Sequence, residues 1–217
     1  MHSKNPNTVV VICQRDNKKP FREFNVNSSL HSRGSDVYVP FDTEYSFLIR
    51  NNDHRRVKVE ITIDGMDIGG GIVIEANSSH YIERFVSVQS RFKFVSVDNP
   101  DVCDPTSHHN GRIVVHVVAE NDTIPRTPSY TWEPMFYTNN VTTYGATVSS
   151  NVGATVEGSV SNQKFDTTHW LGDSNDVFRF DFHMKAPQQH FSNKQLDEIK
   201  LLKKLQLKYK EIDLSEI

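Results

Sequence analysis

Ten histidines and two cysteines raise the question of a metal site, and Cys103, Asp104, His108 and His109 form the only close grouping of ligand types. A structural zinc site needs paired Cys or His at short, regular intervals. That spacing is missing, so the expectation is a chain with no metal and no cofactor. His116 stands inside an apolar run and His183 on the polar side of an alternating one, and both read as ordinary sheet residues. Asp64 and Asp67 flank Gly65 in DGMD. Paired acids serve calcium binding or acid–base chemistry, but an Asp-Gly between two strands is already explained by a hairpin turn. Glu157-Gly158-Ser159 imitates a nucleophile elbow without its flanking glycines and reads as a loop. Gly69-Gly70-Gly71 leads into neither a helix nor a Lys-Ser/Thr pair, which excludes a phosphate loop. Arg55 and Arg56 read as solvated turn charges, and Tyr130, Trp132 and Tyr137 as loop packing in preference to a sugar platform. With no constellation left for catalysis, the chain is expected not to be an enzyme.

The elements around these residues are clearer than the chemistry. Val57 to Asp64, VKVEITID, alternates without error, so Val57, Val59, Ile61 and Ile63 line one face of a half-buried strand. Gly65 follows, and Ile72, Ile74 and Ala76 supply a second alternation, which makes a hairpin. Further short strands are expected at Val37 to Phe41, Tyr45 to Arg50, Tyr81 to Val88 and Arg91 to Val97. Arg112 to Ala119 carries valines on both faces and should be a central strand covered on both sides. Val177 to Met184, VFRFDFHM, should turn Phe178, Phe180, Phe182 and Met184 inward. Asp98 to Gly111 is a long loop, and the prolines and aromatics of Glu120 to Thr142 suit an excursion more than a strand or helix.

Residues 1–35 hold little to bury and read as an extended arm, although Val9 to Ile12 would add one strand. At the other end Ser192 and Gln195 form a capping-box signature. Leu196, Ile199, Leu202, Leu205 and Tyr209 then recur at helical spacing, the stripe of an amphipathic helix that docks on a partner. Six lysines against five acids in 193–217 leave this helix nearly neutral, which favours a protein partner over a membrane surface. The domains expected are therefore an arm (1–35), a β-sandwich (36–187) and a helix (188–217).

A net charge of -3 and a pI near 6.4 give no global reason to expect nucleic acid or an anionic membrane as partner. The apolar run Val9 to Cys13 is too short for a signal core or a membrane span. Cys13 and Cys103 are expected to be free thiols, and the sequons at Asn27, Asn77, Asn121 and Asn140 to follow from an Asn- and Ser-rich composition.

The stretch FLIRNNDHRRVKVEITIDGMDIGGGIVIEANSSHYIERF, with Arg-Asn-Asn, then Arg-Arg before a Val-rich strand, then an Ile-Asp-Gly hairpin, resembles a sequence family. That family occurs in structural proteins of large double-stranded DNA viruses and phages and in bacterial proteins. Val156-Glu157-Gly158-Ser159 through Asn162-Gln163-Lys164-Phe165 looks like its second block, and the two span about Glu44 to Met184. The resemblance implies a virion component, a penton-like single jelly roll at a capsid vertex. Its partners would be further copies of itself, as a pentamer, and neighbouring capsid proteins, with assembly in the host cytoplasm. The fold expected is all-β, a single jelly-roll-like antiparallel β-sandwich with the arm and helix attached. The alternative function is a glycan- or receptor-binding module of a spike or surface protein.

Overall fold

The computed structural model describes residues 7–121 and 151–187. The chain divides after Pro187, so the stripe Leu196, Ile199, Leu202, Leu205 and Tyr209 lies outside the described residues, as do Tyr130, Trp132 and Tyr137. In the first unit the strands run β1 (Thr8–Gln14), β2 (Arg22–Ser28), β3 (Ser32–Tyr38), β4 (Thr43–Asn51), β5 (Val57–Ile63) and β6 (Met66–Asp67). They continue with β7 (Ile72–Ile74), β8 (Ser79–Ile82), β9 (Ser90–Ser96), β10 (Arg112–Glu120), β11 (Gly153–Val160) and β12 (Asp173–Lys185).

These strands form two sheets. The first has the order β1-β4-β9-β11, with β8 and β9 taking successive stretches of β4. The second has the order β2-β3-β12-β10-β5-β6, with β7 also on β5. Among the described residues the architecture is all-β. One apolar cluster draws side chains from both sheets, Tyr45, Phe47 and Phe92 from the first and Val59, Ile61, Val115 and Phe182 from the second. Phe92 is its hub, with ring centroids of Tyr45, Phe47 and Phe85 within 5.5, 5.4 and 4.8 Å.

Alternation decides the register. Val57, Val59, Ile61 and Ile63 are buried while Lys58, Glu60 and Thr62 are only partly covered. A one-residue slip would invert those faces. The hairpin that follows puts Asp64 and Gly65 at φ 51 and 84, the left-handed pair that a type I′ turn requires. β10 is central, between β12 and β5; on its second face Val118 is buried but Val114 and His116 are only partly covered, so the expected cover on both sides holds at one end alone.

Three expectations need correction. Residues 8–35 are not an arm: β1 pairs with β4 and buries Val10, Ile12 and Cys13, while β2 and β3 extend the second sheet. Val9 to Ile12 announces β1, but polar composition hid β2 and β3, for β2 buries none of its residues. Nor are the sheets purely antiparallel, since β3 runs parallel to β12, with Arg179 opposite Ser32 and Lys185 opposite Tyr38. Finally, Glu157-Gly158-Ser159 belongs to β11 and not to a loop. A Cβ on Gly153 would come within 2.4 Å of the Phe94 ring and the Val95 carbonyl, so glycine here lets β11 close on β9. Strand limits also moved: β3 begins at Ser32 and ends before Phe41, and β8 ends at Ile82.

Phe180 is 5% exposed, between Phe178 and Phe182 on the inner face of β12. Phe180→Ala should cost about 3 to 5 kcal/mol in urea unfolding. A loss below about 1 kcal/mol would put the ring at the surface.

Candidate functional site

The polar residues of the two resembling blocks gather at two places where a sheet ladder stops: the crossing from β4 to β5, and the β8–β9 loop where it meets the start of the β11–β12 crossing. The first is the corner from β4 to β5. Asn51 is fully buried, and its amide donates to the carbonyls of Arg55 (2.8 Å), Glu75 (3.0 Å) and Ile74 (3.4 Å), while its oxygen accepts from the Asp53 N–H. Each of these groups would otherwise be covered without a partner. Asp53 in turn accepts from the Arg55 backbone and side chain, and Arg55 reaches Asp176 of β12 at 2.8 Å. Arg56 forms a two-pronged pair with Glu120 at the end of β10. Burial pushes the Asp53 and Glu120 carboxyls up, but the arginine hydrogen bonds outweigh it and hold both below the usual range. Arg55 and Arg56 are therefore ion-paired at the corner and are not solvated turn charges.

The second place joins the blocks to each other. Arg84, 7% exposed, lies between β8 and β9 and donates to four carbonyls: Gln163 and Phe85 at 2.7 Å, Val88 at 2.9 Å and Val86 at 3.1 Å. Its guanidinium also lies 4.6 Å from the Phe165 ring centroid. Gln163 returns the contact, donating to the Tyr81 carbonyl (2.6 Å) and accepting from the Glu83 N–H (3.0 Å). Glu83 accepts from Ser161 at 2.6 Å and pairs with Arg91 and Lys18. Burial raises its carboxyl, and Ser161 with the two cations brings it below the usual range. Arg84 thus does for a loop what a neighbouring strand would do, using the five donors of one guanidinium.

The groups weighed for chemistry are dispersed or already committed. Asp67 accepts from the N–H groups of Gly69 and Gly70, at 2.7 and 2.8 Å, and so closes the glycine turn. Asp64 points elsewhere: it accepts from Gly111 N–H at 2.7 Å and Thr155 N–H at 2.5 Å, linking the β5 turn to β10 and to β11 of the other sheet. The acids of DGMD are therefore two separate caps. Asp104 closes its own turn on Thr106, Cys103 is exposed and Cys13 buried, both as free thiols. The His108 and His109 rings lie with centroids 3.8 Å apart and tilted by 41°, and no group of three or more metal-ligand types comes together among the described residues. His116 lies between Glu60 and Arg179 across the strands, and His183 is on the outer face of β12. No helix among the described residues is long and apolar enough to cross a membrane.

Arg84, Asn51 and Gln163 are the residues that spacing did not single out. Their signal was weak: a charged or amide residue just beyond a strand, where the ladder stops. No protein-family model, no curated protein and no solved structure matches the chain.

Three outcomes test this account. Arg84→Ala strips four carbonyls of their donor and should cost on the order of 3 kcal/mol, with Arg84→Lys recovering only a part, since one ammonium cannot span them. Chelators should leave the melting temperature unchanged, whereas a shift of many degrees in EDTA would reveal a bound ion. The third concerns pH. Burial raises the Asp64 carboxyl to about 6 against the pull of its backbone donors. A carboxyl whose folded pKa exceeds its unfolded value stabilises the fold below the unfolded pKa, and that contribution is lost as pH rises through about 6. Comparing the protein with Asp64→Asn by urea unfolding from pH 4 to 7.5 should show their stability difference changing by about 1 to 2 kcal/mol across that window. The depressed carboxyls, present in both proteins, act in the opposite sense and cancel in the difference; parallel profiles would mean that Asp64 does not titrate there.

Proposed function

We propose that this chain is a virion structural protein, a penton-like capsid vertex component that acts by self-association and by contacts with neighbouring capsid proteins. The observation that carries the reading is the joining of the two resembling blocks: Tyr81, Glu83 and Arg84 from one bond to Ser161, Gln163 and Phe165 from the other. The residues on which the resemblance rests serve to brace a scaffold. In an assembly protein the rigid framework is the function, and its buried polar residues hold loops at fixed positions for neighbours. The proposed fold is a single jelly-roll-like sandwich, supported by the alternation of β9, β10, β11 and β12 between the two sheets. The helical stripe from Leu196 to Tyr209 would grip a neighbour.

A second reading, a glycan- or receptor-binding module, is favoured by the strand order. β12-β10-β5 with β7 beyond, opposite β1-β4 with β8 and β9, follows the G-F-C-C′ and A-B-E orders of an immunoglobulin-type sandwich. Such sandwiches present their loops at the two ends for recognition. The outer face of the second sheet adds a shallow groove of about 500 Å³ over Gly34, flanked by Asp36, Arg179, His183 and Lys185.

Native mass spectrometry of the purified full chain should report an assembly, with fivefold rings in negative stain. A monomer at every concentration, retained on a glycan array, would displace the first reading in favour of the second.

A further inference from the structure

We propose that the groove on the outer face of the second sheet binds a neutral saccharide, its hydroxyls on the charged side chains of β3 and β12 and one sugar face beside Phe24. The inference rests on the second reading and says which surface makes the contact and which class of glycan it takes.

The first observation is how the groove is built. Phe180, Phe182 and Met184 of β12 enter the core, so Arg179, Asp181, His183 and Lys185 stand on the opposite face. The register of β3 sets Ser32, Gly34, Asp36 and Tyr38 against them. Gly34, between Asp181 of β12 and Asn27 of β2, has no side chain to raise, and the face sinks there into the hollow of about 500 Å³. Small-molecule sites span ~300 to 1,000 Å³. β3 and β12 are each paired on both sides, so the floor offers no free ladder to an extended peptide.

The second is charge. Lys185 meets one oxygen of Asp36 at 2.7 Å, and Arg179 meets Asp181 at 2.9 Å with one of its nitrogens. Asp181 also accepts two bonds from Arg112. These pairs fix the four side chains in place, yet each stays partly open to solvent, with exposures from 23% to 43%. An anion in the groove would meet Asp36 and Asp181, and a cation would meet Arg179 and Lys185. Like-charge contacts of that kind reject both. A hydroxyl donates to the acids and accepts from the cations, so a neutral ligand with several hydroxyls suits all four.

The third is the aromatic alongside. Phe24 lies opposite Asp36 across the β2–β3 pair and is 45% exposed. Its ring meets Tyr38 edge-on at 5.6 Å, and the Arg22 guanidinium lies 4.6 Å from its centroid. A ring fixed before binding loses less freedom on association. A pyranose has an apolar C–H face and a rim of hydroxyls, which matches an aromatic next to a row of hydrogen-bonding groups.

The full chain should be retained on an array of neutral oligosaccharides ending in glucose, galactose, mannose or N-acetylglucosamine. Retention should persist in about 0.5 M NaCl, which screens charged ligands. In calorimetric titration with the strongest-bound of these, Phe24→Ala and Asp36→Ala should each weaken binding about tenfold or more, and Asp36→Asn, which keeps an acceptor, should recover a part. Phe24 lies outside the apolar cluster, so its variant should melt like the native chain, and Asp36→Ala tests the groove independently if it does not. Retention of sialylated or sulfated glycans alone, lost in that salt, would overturn the neutral ligand. Neutral binding unchanged in either folded alanine variant would overturn the groove and leave the second reading standing, with the end loops as the site. No retention of any glycan would overturn both.

Discussion

The structure depends on what happens to backbone polar groups where a sheet ladder stops, at a crossing to the other sheet or in a loop between strands. Inside a sheet N–H and C=O groups have ladder partners, but at such a place the ladder stops while the groups stay covered. This protein answers with side chains that hold several donors in fixed geometry. Asn51 serves three carbonyls at the β4–β5 corner, and Arg84 serves three of the β8–β9 loop and the Gln163 carbonyl beside it. Without them the apolar cluster around Phe92 would have to open to water at its margins, and the neighbouring strands could not close over it.

The charged residues follow the same logic on the outer faces. Arg112 meets Asp181 with two bonds, at 3.0 and 2.7 Å, across the β10–β12 pair, and Lys185 meets Asp36 at 2.7 Å across the β3–β12 pair. Partly exposed pairs of this kind add little free energy singly. Their consequence is register, since each fixes which residue of one strand lies beside which residue of the next. The second sheet, whose strands come from distant parts of the sequence, needs that information more than the first.

How far the sequence reveals this fold varies with how each strand is buried. β5, β10 and β12 are legible because one or both faces meet the core, so Val59, Val115 and Phe182 mark the period directly. β2 is illegible because burial never shaped it, and β11 because the space beside Phe94 admits glycine better than a β-branched residue. The expected arm failed for the same reason at β2 and β3, whose residues are mostly polar, whereas Val9 to Ile12 marked β1. The polar residues where a ladder stops were the least visible. A buried arginine and a solvated one look alike until the carbonyls around them are placed, and those carbonyls come from Phe85 and from Gln163, far apart in the chain.

The one parallel ladder among the described residues, β3 against β12, has a consequence for how the molecule comes into being. β3 lies near the start of the chain and β12 near the end of the described residues, yet β3 has no other route into the second sheet. During synthesis the β2–β3 ribbon must wait, unsheltered, until nearly all of the first unit has left the ribosome. Closing that long loop is entropically slow, and the waiting strands are the ones most open to mispairing. The order of synthesis therefore makes the amino-terminal ribbon the last piece to lock, and the piece most in need of a chaperone while it waits.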